Sequence, residues 1–144
     1  MAQEDIIRGL QESLSAEYYA FGYLFQCGHA IKGLANYELY HDFFHKGYEE
    51  EFEHFHTIAN HLAGNNEEVK IPVIEIPCHY ELEEMLTHLY QIEVWAIGRY
   101  TRLTKLAEEL GDVAMANVFQ TLAQAEEEDR QEIVKRFGYE PEVA

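Results

Sequence analysis

Apolar residues recur at every third or fourth position through four long stretches of the chain, the spacing that gathers one face of an α-helix. The first stretch, residues 3–30, carries Leu10, Leu14, Phe21 and Leu24 in phase. The second, 33–62, carries Tyr37, Tyr40, Phe44, Tyr48, Phe55, Ile58 and Leu62, and Gly64-Asn65-Asn66 supplies its stop. The third, 80–110, aligns Leu82, Leu86, Leu89, Ala96, Tyr100, Leu103 and Ala107 before Gly111-Asp112. The fourth, 112–137, begins at Asp112, a good N-cap residue, and aligns Met115, Val118, Leu122, Ala125 and Ile133 before Gly138.

Between the second and third stretches the rhythm stops. Over residues 67–79, Pro72 and Pro77 punctuate the β-branched run Val69-Lys70-Ile71-Pro72-Val73-Ile74, which reads as an extended connection. At about 3.3 Å per residue, a segment of roughly 15 residues runs some 50 Å, enough to pass the length of a 30-residue helix at about 1.5 Å per residue. The third helix is therefore free to begin at the far end of the second. Long helices joined by a short, a long and a short connection predict a four-helix bundle with one overhand crossover. The expectation is an all-α chain forming a single domain over residues 1–144.

Composition narrows the chemistry. With 9 Gly and 3 Pro in 144 residues, there is little material for a many-turned β protein. The 27 acidic residues against 10 Lys and Arg give a formal charge of −17, which repels nucleic-acid phosphates and anionic membranes and favours cations as guests. No apolar run approaches the roughly 20 residues that a bilayer requires, and the first residues lack a basic start followed by an apolar stretch, so the expected location is cytoplasmic. Cys27 and Cys78 lie far apart with no CxxC companion, which argues against a thiolate zinc site or a rubredoxin-type iron site and for reduced thiols.

The apolar stripes are interrupted by acids. Glu17 falls in the first, Glu51 in the second, Glu93 in the third, and Glu126 with Asp129 in the fourth. A buried carboxylate costs several kcal/mol unless something compensates it, and a shared cation compensates several at once. Glu17 and Glu51 are separated by nearly the same number of positions as Glu93 and Glu126, and each pair straddles its own turn, so all four are expected in one layer at mid-height. Three Glu-x-x-His matches occur, at Glu38/His41, Glu51/His54 and Glu53/His56. At about 100° per residue, Glu53 points about 200° and Glu38 about 220° away from Glu51, so only Glu51 and His54 look inward. His54 is expected to offer a ring nitrogen to one metal, with Asp129 in the matching place of the second helical pair. An oxygen-rich set with one imidazole suits two iron ions, with manganese or zinc as alternatives.

On these positions the chain resembles the ferritin-like di-iron carboxylate family, bacterioferritins and bacterial ferritins most of all, over residues 3–137. Those proteins place a glutamate on the first helix, Glu-x-x-His on the second, a glutamate on the third and a second Glu-x-x-His on the fourth. Glu17, Glu51, His54, Glu93 and Glu126 match that pattern; Asp129 stands where bacterioferritins carry histidine. Phe52 occupies the place of their haem-ligating methionine, so no haem is expected, and no fifth helix follows the fourth. The resemblance implies a ferroxidase in which all six residues bind iron and act in oxidising Fe²⁺ with O₂ or peroxide for storage or detoxification, in a homo-oligomer that engages neither nucleic acid nor membrane. Two other readings stay open: a rubrerythrin-like peroxidase or oxidase without storage, and a helical assembly protein in which metal only stabilises the bundle.

Overall fold

The computed structural model describes residues 2–71 and 73–143, apart from the side chain of Ala2. Pro72, read from the sequence as a breaker of helical rhythm, lies outside them, as do the first and last residues. Four helices follow one another: α1 (Ala2–Ala30), α2 (Leu34–Gly64), α3 (Leu82–Glu109) and α4 (Val113–Phe137). No strand occurs among the described residues, and the described part of the α2–α3 connection forms no helix. The chain is all-α, with the long connection where the hydropathic rhythm stops.

Contacts group the chain into two compact units. One is Leu10–Leu89, which holds most of α1, all of α2, the crossover and the first turns of α3. Its apolar interior contains Leu10, Leu14, Leu24, Phe44, Ile58, Leu62, Leu86 and Leu89, all of them predicted stripe positions, whereas Phe21 and Leu82 of the same stripes are only half-buried. The α1–α2 turn closes when Ile31 N–H donates to Cys27 O at 3.0 Å, and Gly33 takes φ 88°, a conformation that costs a residue with a Cβ. Helices α1 and α2 approach closely at Gly47, where a Cβ would stand 3.0 Å from Leu24 Cδ2. At the end of α2, Asn65 N–H reaches His61 O and Leu62 O, and Asn66 turns the chain away at φ 60°. The crossover then packs on α1, with Ile76 filling the space that the missing side chain of Gly22 leaves.

The second unit comprises the residues through Gly9 together with those from Tyr90 onward. Tyr100 and Phe119 stack at 6.3 Å, and Leu103, Ala107, Met115, Leu122 and Ile133 are buried around them. Gly9 brings α1 onto Leu103. The α3–α4 turn uses Gly111 at φ 72°, and the Asp112 carboxylate accepts from Met115 N–H at 3.1 Å, the expected N-cap bond. Gly138 ends α4 in the left-handed region, its N–H donating to Val134 O at 2.8 Å. The tail then returns: Pro141 is buried, Tyr90 donates to Glu140 at 2.5 Å, and Arg130 pairs with Glu127 at 2.7 Å and with Glu140 at 3.4 Å.

One outcome differs from the simple stripe reading. On α2 only Phe44, Ile58 and Leu62 among the aligned apolar residues are fully buried, whereas Tyr37 is 48 % exposed. Its ring stacks on His41 at 4.6 Å, and a run of rings continues along α2 through His45, Tyr48 and Phe52, with Phe21 and Phe25 of α1 against Tyr48. Periodicity fixes a common face without saying what that face meets.

Candidate metal centre

Each unit carries its own acidic triad. Glu17 sits at mid-α1, and Glu51 and His54 sit one turn apart on α2, because positions three apart project on nearly the same side of a helix. Glu17 and Glu51 are no more than 2 % exposed, and His54 keeps 15 % of its side chain open. His54 Nδ1 faces both carboxylates, 3.4 Å from Glu51 Oε2 and 3.8 Å from Glu17 Oε2. The three residues offer ligand atoms within 4.8 Å of one another.

In the other unit, Glu93 of α3 and Glu126 of α4 are likewise no more than 2 % exposed, and Asp129 is half-buried one turn beyond Glu126. These three also offer ligand atoms within 4.8 Å of one another. Donors about 2.1 Å from a shared ion stand up to about 4.2 Å apart, so sub-ångström side-chain motion closes either set around a cation. Carboxylate oxygens with one imidazole form a hard, oxygen-rich set that fits iron or manganese.

The other two Glu-x-x-His matches lie elsewhere. Glu38, Glu53 and His56 are exposed, and His41 lies 3.4 Å from Asp42 and stacks on Tyr37. Of the neighbouring acids, Glu49 pairs with His45 at 2.8 Å, and Glu127 is held by Arg130, which keeps its carboxyl below the usual range.

Two groupings escaped the sequence reading. In the Leu10–Leu89 unit, Tyr19 Oη lies 2.7 Å from His88 Nε2 and Tyr23 Oη 2.7 Å from His79 Nδ1, with the two imidazole rings 5.3 Å apart. Burial, and secondarily His79, lowers the pKa of His88, so His88 favours the neutral ring. Neither histidine belongs to a Glu-x-x-His pattern; only the four-residue spacing of Tyr23 and Cys27 on α1 hinted at a shared face. In the other unit, the Tyr90–Arg130–Glu127–Glu140 network depends on the return of the tail, which no local pattern announces.

Residues 7–137 match the family model of the ferritin-like domain. No curated protein matches the chain in sequence. Among solved structures, a ferritin-like, diiron-carboxylate protein from Bacillus anthracis aligns with a TM-score of 0.88 at 19% identity, covering 94% of this chain and 96% of that one. A Dps from Thermosynechococcus elongatus aligns at 0.86 with 15% identity, covering 98% and 94%. A dodecameric thioferritin, described as the bacterioferritin-related protein of Bacteroides fragilis, aligns at 0.80 with 19% identity, covering 94% and 85%. The shared fold is the ferritin-like helical bundle.

Proposed function

The chain belongs to the ferritin-like domain family, and from that premise we propose that it is a ferroxidase: it binds Fe²⁺ as substrate and oxidises it with O₂ or peroxide for storage or detoxification. In this reading the chain acts as one domain, and its two triads serve a single centre for two ions, with Glu17, Glu51 and His54 on one side and Glu93, Glu126 and Asp129 on the other. The observation that carries it is the burial of four glutamates at four stripe positions, each within ligand distance of a second and third donor. Such a charge cluster is costly in an apolar interior without cations.

The residues divide the work by chemistry. His54 presents Nδ1 toward Glu17 and Glu51, so the imidazole fixes one ion while the carboxylates neutralise its charge. Asp129 replaces a neutral imidazole with an anion, which favours the ferric product over the ferrous substrate. With peroxide, two Fe²⁺ each lose one electron, the O–O bond breaks, and two protons are taken up to yield two waters. With O₂, the same two electrons and two protons yield hydrogen peroxide. Iron is the proposed metal, manganese or zinc the substitutes, and no haem is invoked because Phe52 offers no ligand atom.

The remaining features fit a cytosolic homo-oligomer. Cys27 and Cys78 are both free thiols, as a reducing compartment keeps them. None of the described helices is long and apolar enough to cross a membrane. On a chain of charge −17, the row of rings around Phe25, Tyr37 and Phe52 offers aromatic and histidine surface, which a second copy covers with the least charge repulsion.

The test is addition of about two Fe²⁺ per chain in air to metal-free protein, followed through the near-ultraviolet absorbance of the ferric product. Oxidation well above the protein-free rate, lost in Glu51→Ala, supports the ferroxidase. Equal rates in Glu51→Ala and the parent overturn it. Rapid peroxide consumption without retained iron selects the rubrerythrin-like reading, and bound but unoxidised Fe²⁺ selects the purely structural one.

A further inference from the structure

One Glu-x-x-His match is left over by the iron chemistry, and it runs on into a second histidine. Glu38, His41, His45 and Glu49 follow one another along α2 at spacings of three, four and four. At about 100° per residue they fall within an arc of about 80°, one narrow stripe of the helix. The stripe faces solvent: Glu38 is exposed, and the side chains of His41, His45 and Glu49 keep 37%, 62% and 66% of their surface open.

The donor atoms stand close to a coordinating arrangement. His45 Nε2 lies 2.8 Å from Glu49 Oε1. Adjacent donors that each lie about 2.0–2.1 Å from one ion are about 2.9–3.4 Å apart, so a slight spreading of this pair admits an ion between them. The His41 and His45 rings are parallel within 2°, with centroids 6.4 Å apart. An ion on a ring nitrogen lies about 3.2 Å from the ring centroid, so rings that share an ion have centroids no more than about 6.4 Å apart. The observed separation is at that limit, and rotation of two open side chains shortens it. Asp42 lies 3.4 Å from His41 Nδ1, which leaves Nε2 of that ring for an ion and orients it from behind.

Helix α2 is thinly held at this end. Its N-cap, Gly33, makes no side-chain capping bond, its first turn carries no acidic residue, and no side chain before Phe44 is fully buried. Helical turns with neither cap nor core contact fray unless something spans them. A chelate between positions four apart spans one turn.

We propose that His41 and His45, joined by Glu49, form an external site for a late first-row divalent ion, Zn²⁺ or Cu²⁺, whose binding clamps the first turns of α2. The two imidazoles supply two ligands, Glu49 a third, and water completes the shell. The charge of −17 draws cations to the chain, and the imidazole pair favours Zn²⁺ and Cu²⁺ over Mn²⁺ and Fe²⁺. None of these residues belongs to the buried carboxylate centre, so the site stands apart from the ferroxidase reading.

The experiment titrates Zn²⁺ alone into the full chain, stripped beforehand with a chelator, and follows binding by calorimetry. The buried centre also takes Zn²⁺, so the readout is the difference between variants. His41→Gln and His45→Gln are each expected to weaken one class of site, one ion per chain, at least about tenfold, and the double variant to lose it. The same loss is expected when Glu51→Gln is already present, which separates this site from the buried one. His61→Gln, about 160° around α2 from His45, is the control and is expected to change nothing. Zn²⁺ is expected to slow amide exchange over residues 34–45 in the parent and not in the double variant, and Mn²⁺ to leave that exchange unchanged. Cu²⁺ is expected to bind more tightly than Zn²⁺ and to show magnetic coupling to two imidazole nitrogens. Zn²⁺ uptake by the double variant equal to the parent's, a loss in His45→Gln unmatched in His41→Gln, or one ion shared between two chains overturns the chelate. Exchange over 34–45 that ignores bound Zn²⁺ overturns the clamp.

Discussion

Replacing Glu51 by glutamine keeps the volume of a buried side chain and removes its charge, so it tests the ligand role with little packing change. Binding of one ion at a free concentration one hundred times its dissociation constant adds about 2.7 kcal/mol to folding stability. For 144 residues, at about 2.1 cal per mole per kelvin per residue, the unfolding entropy is about 0.3 kcal per mole per kelvin, so Tm rises by about 9 °C. Loss of a carboxylate that binds the ion directly weakens affinity at least about 100-fold, the upper range for losing a mere outer-shell partner. At the same free metal concentration about 0.4 kcal/mol then remains, and the rise falls to about 1 °C. The assay is thermal unfolding by far-ultraviolet circular dichroism with and without Mn²⁺, which avoids turnover during the scan. Glu53→Gln is the control, because Glu53 is exposed on the opposite side of α2. A metal-induced rise in Glu51→Gln within about 2 °C of the parent value refutes the assignment of Glu51 as a ligand.

Three further outcomes are expected. Gly9→Ala places a Cβ against the buried side chain of Leu103, so despite a helix-propensity gain of about 1 kcal/mol it should lower stability by a net 1 kcal/mol or so, read as a drop in Tm. His88 has a lowered pKa in the folded state, so the unfolded chain binds protons more readily and stability falls as pH drops below about 6.5; His88→Asn should flatten the slope of Tm against pH there, and an unchanged slope contradicts the burial argument. The Glu127 carboxyl is lowered by Arg130, so its contribution is complete above the unfolded value near 4.5 and fades as pH falls through the folded value; hydrogen exchange of the tail after Gly138 should rise in that window, and Arg130→Met should raise it at neutral pH.

The four helices were legible because each buries one face, and burial imposes a period that the sequence must carry. Glu17, Glu51, Glu93 and Glu126 were legible for the same reason, since an acid in the apolar phase contradicts the pattern unless chemistry requires it. Phase also separated Glu51/His54 from the exposed Glu38 and Glu53 pairs. Other features had no local signature. Tyr23 meets His79 only because the crossover folds onto α1 at Gly22, a contact between segments over 50 positions apart. The tail contacts of Glu140 depend likewise on a return after Gly138. The outward rings of Tyr37 and Phe52 obey helical spacing as well as buried residues do, so spacing alone cannot tell a core face from an exposed one.

The most direct measurement is anomalous diffraction at the iron edge from crystals soaked anaerobically in Fe²⁺. The account predicts two peaks in one centre, one beside Glu17, Glu51 and His54 Nδ1, the other beside Glu93, Glu126 and Asp129. Peaks confined to exposed acids such as Glu49 and Glu53, with none at the buried glutamates, contradict it.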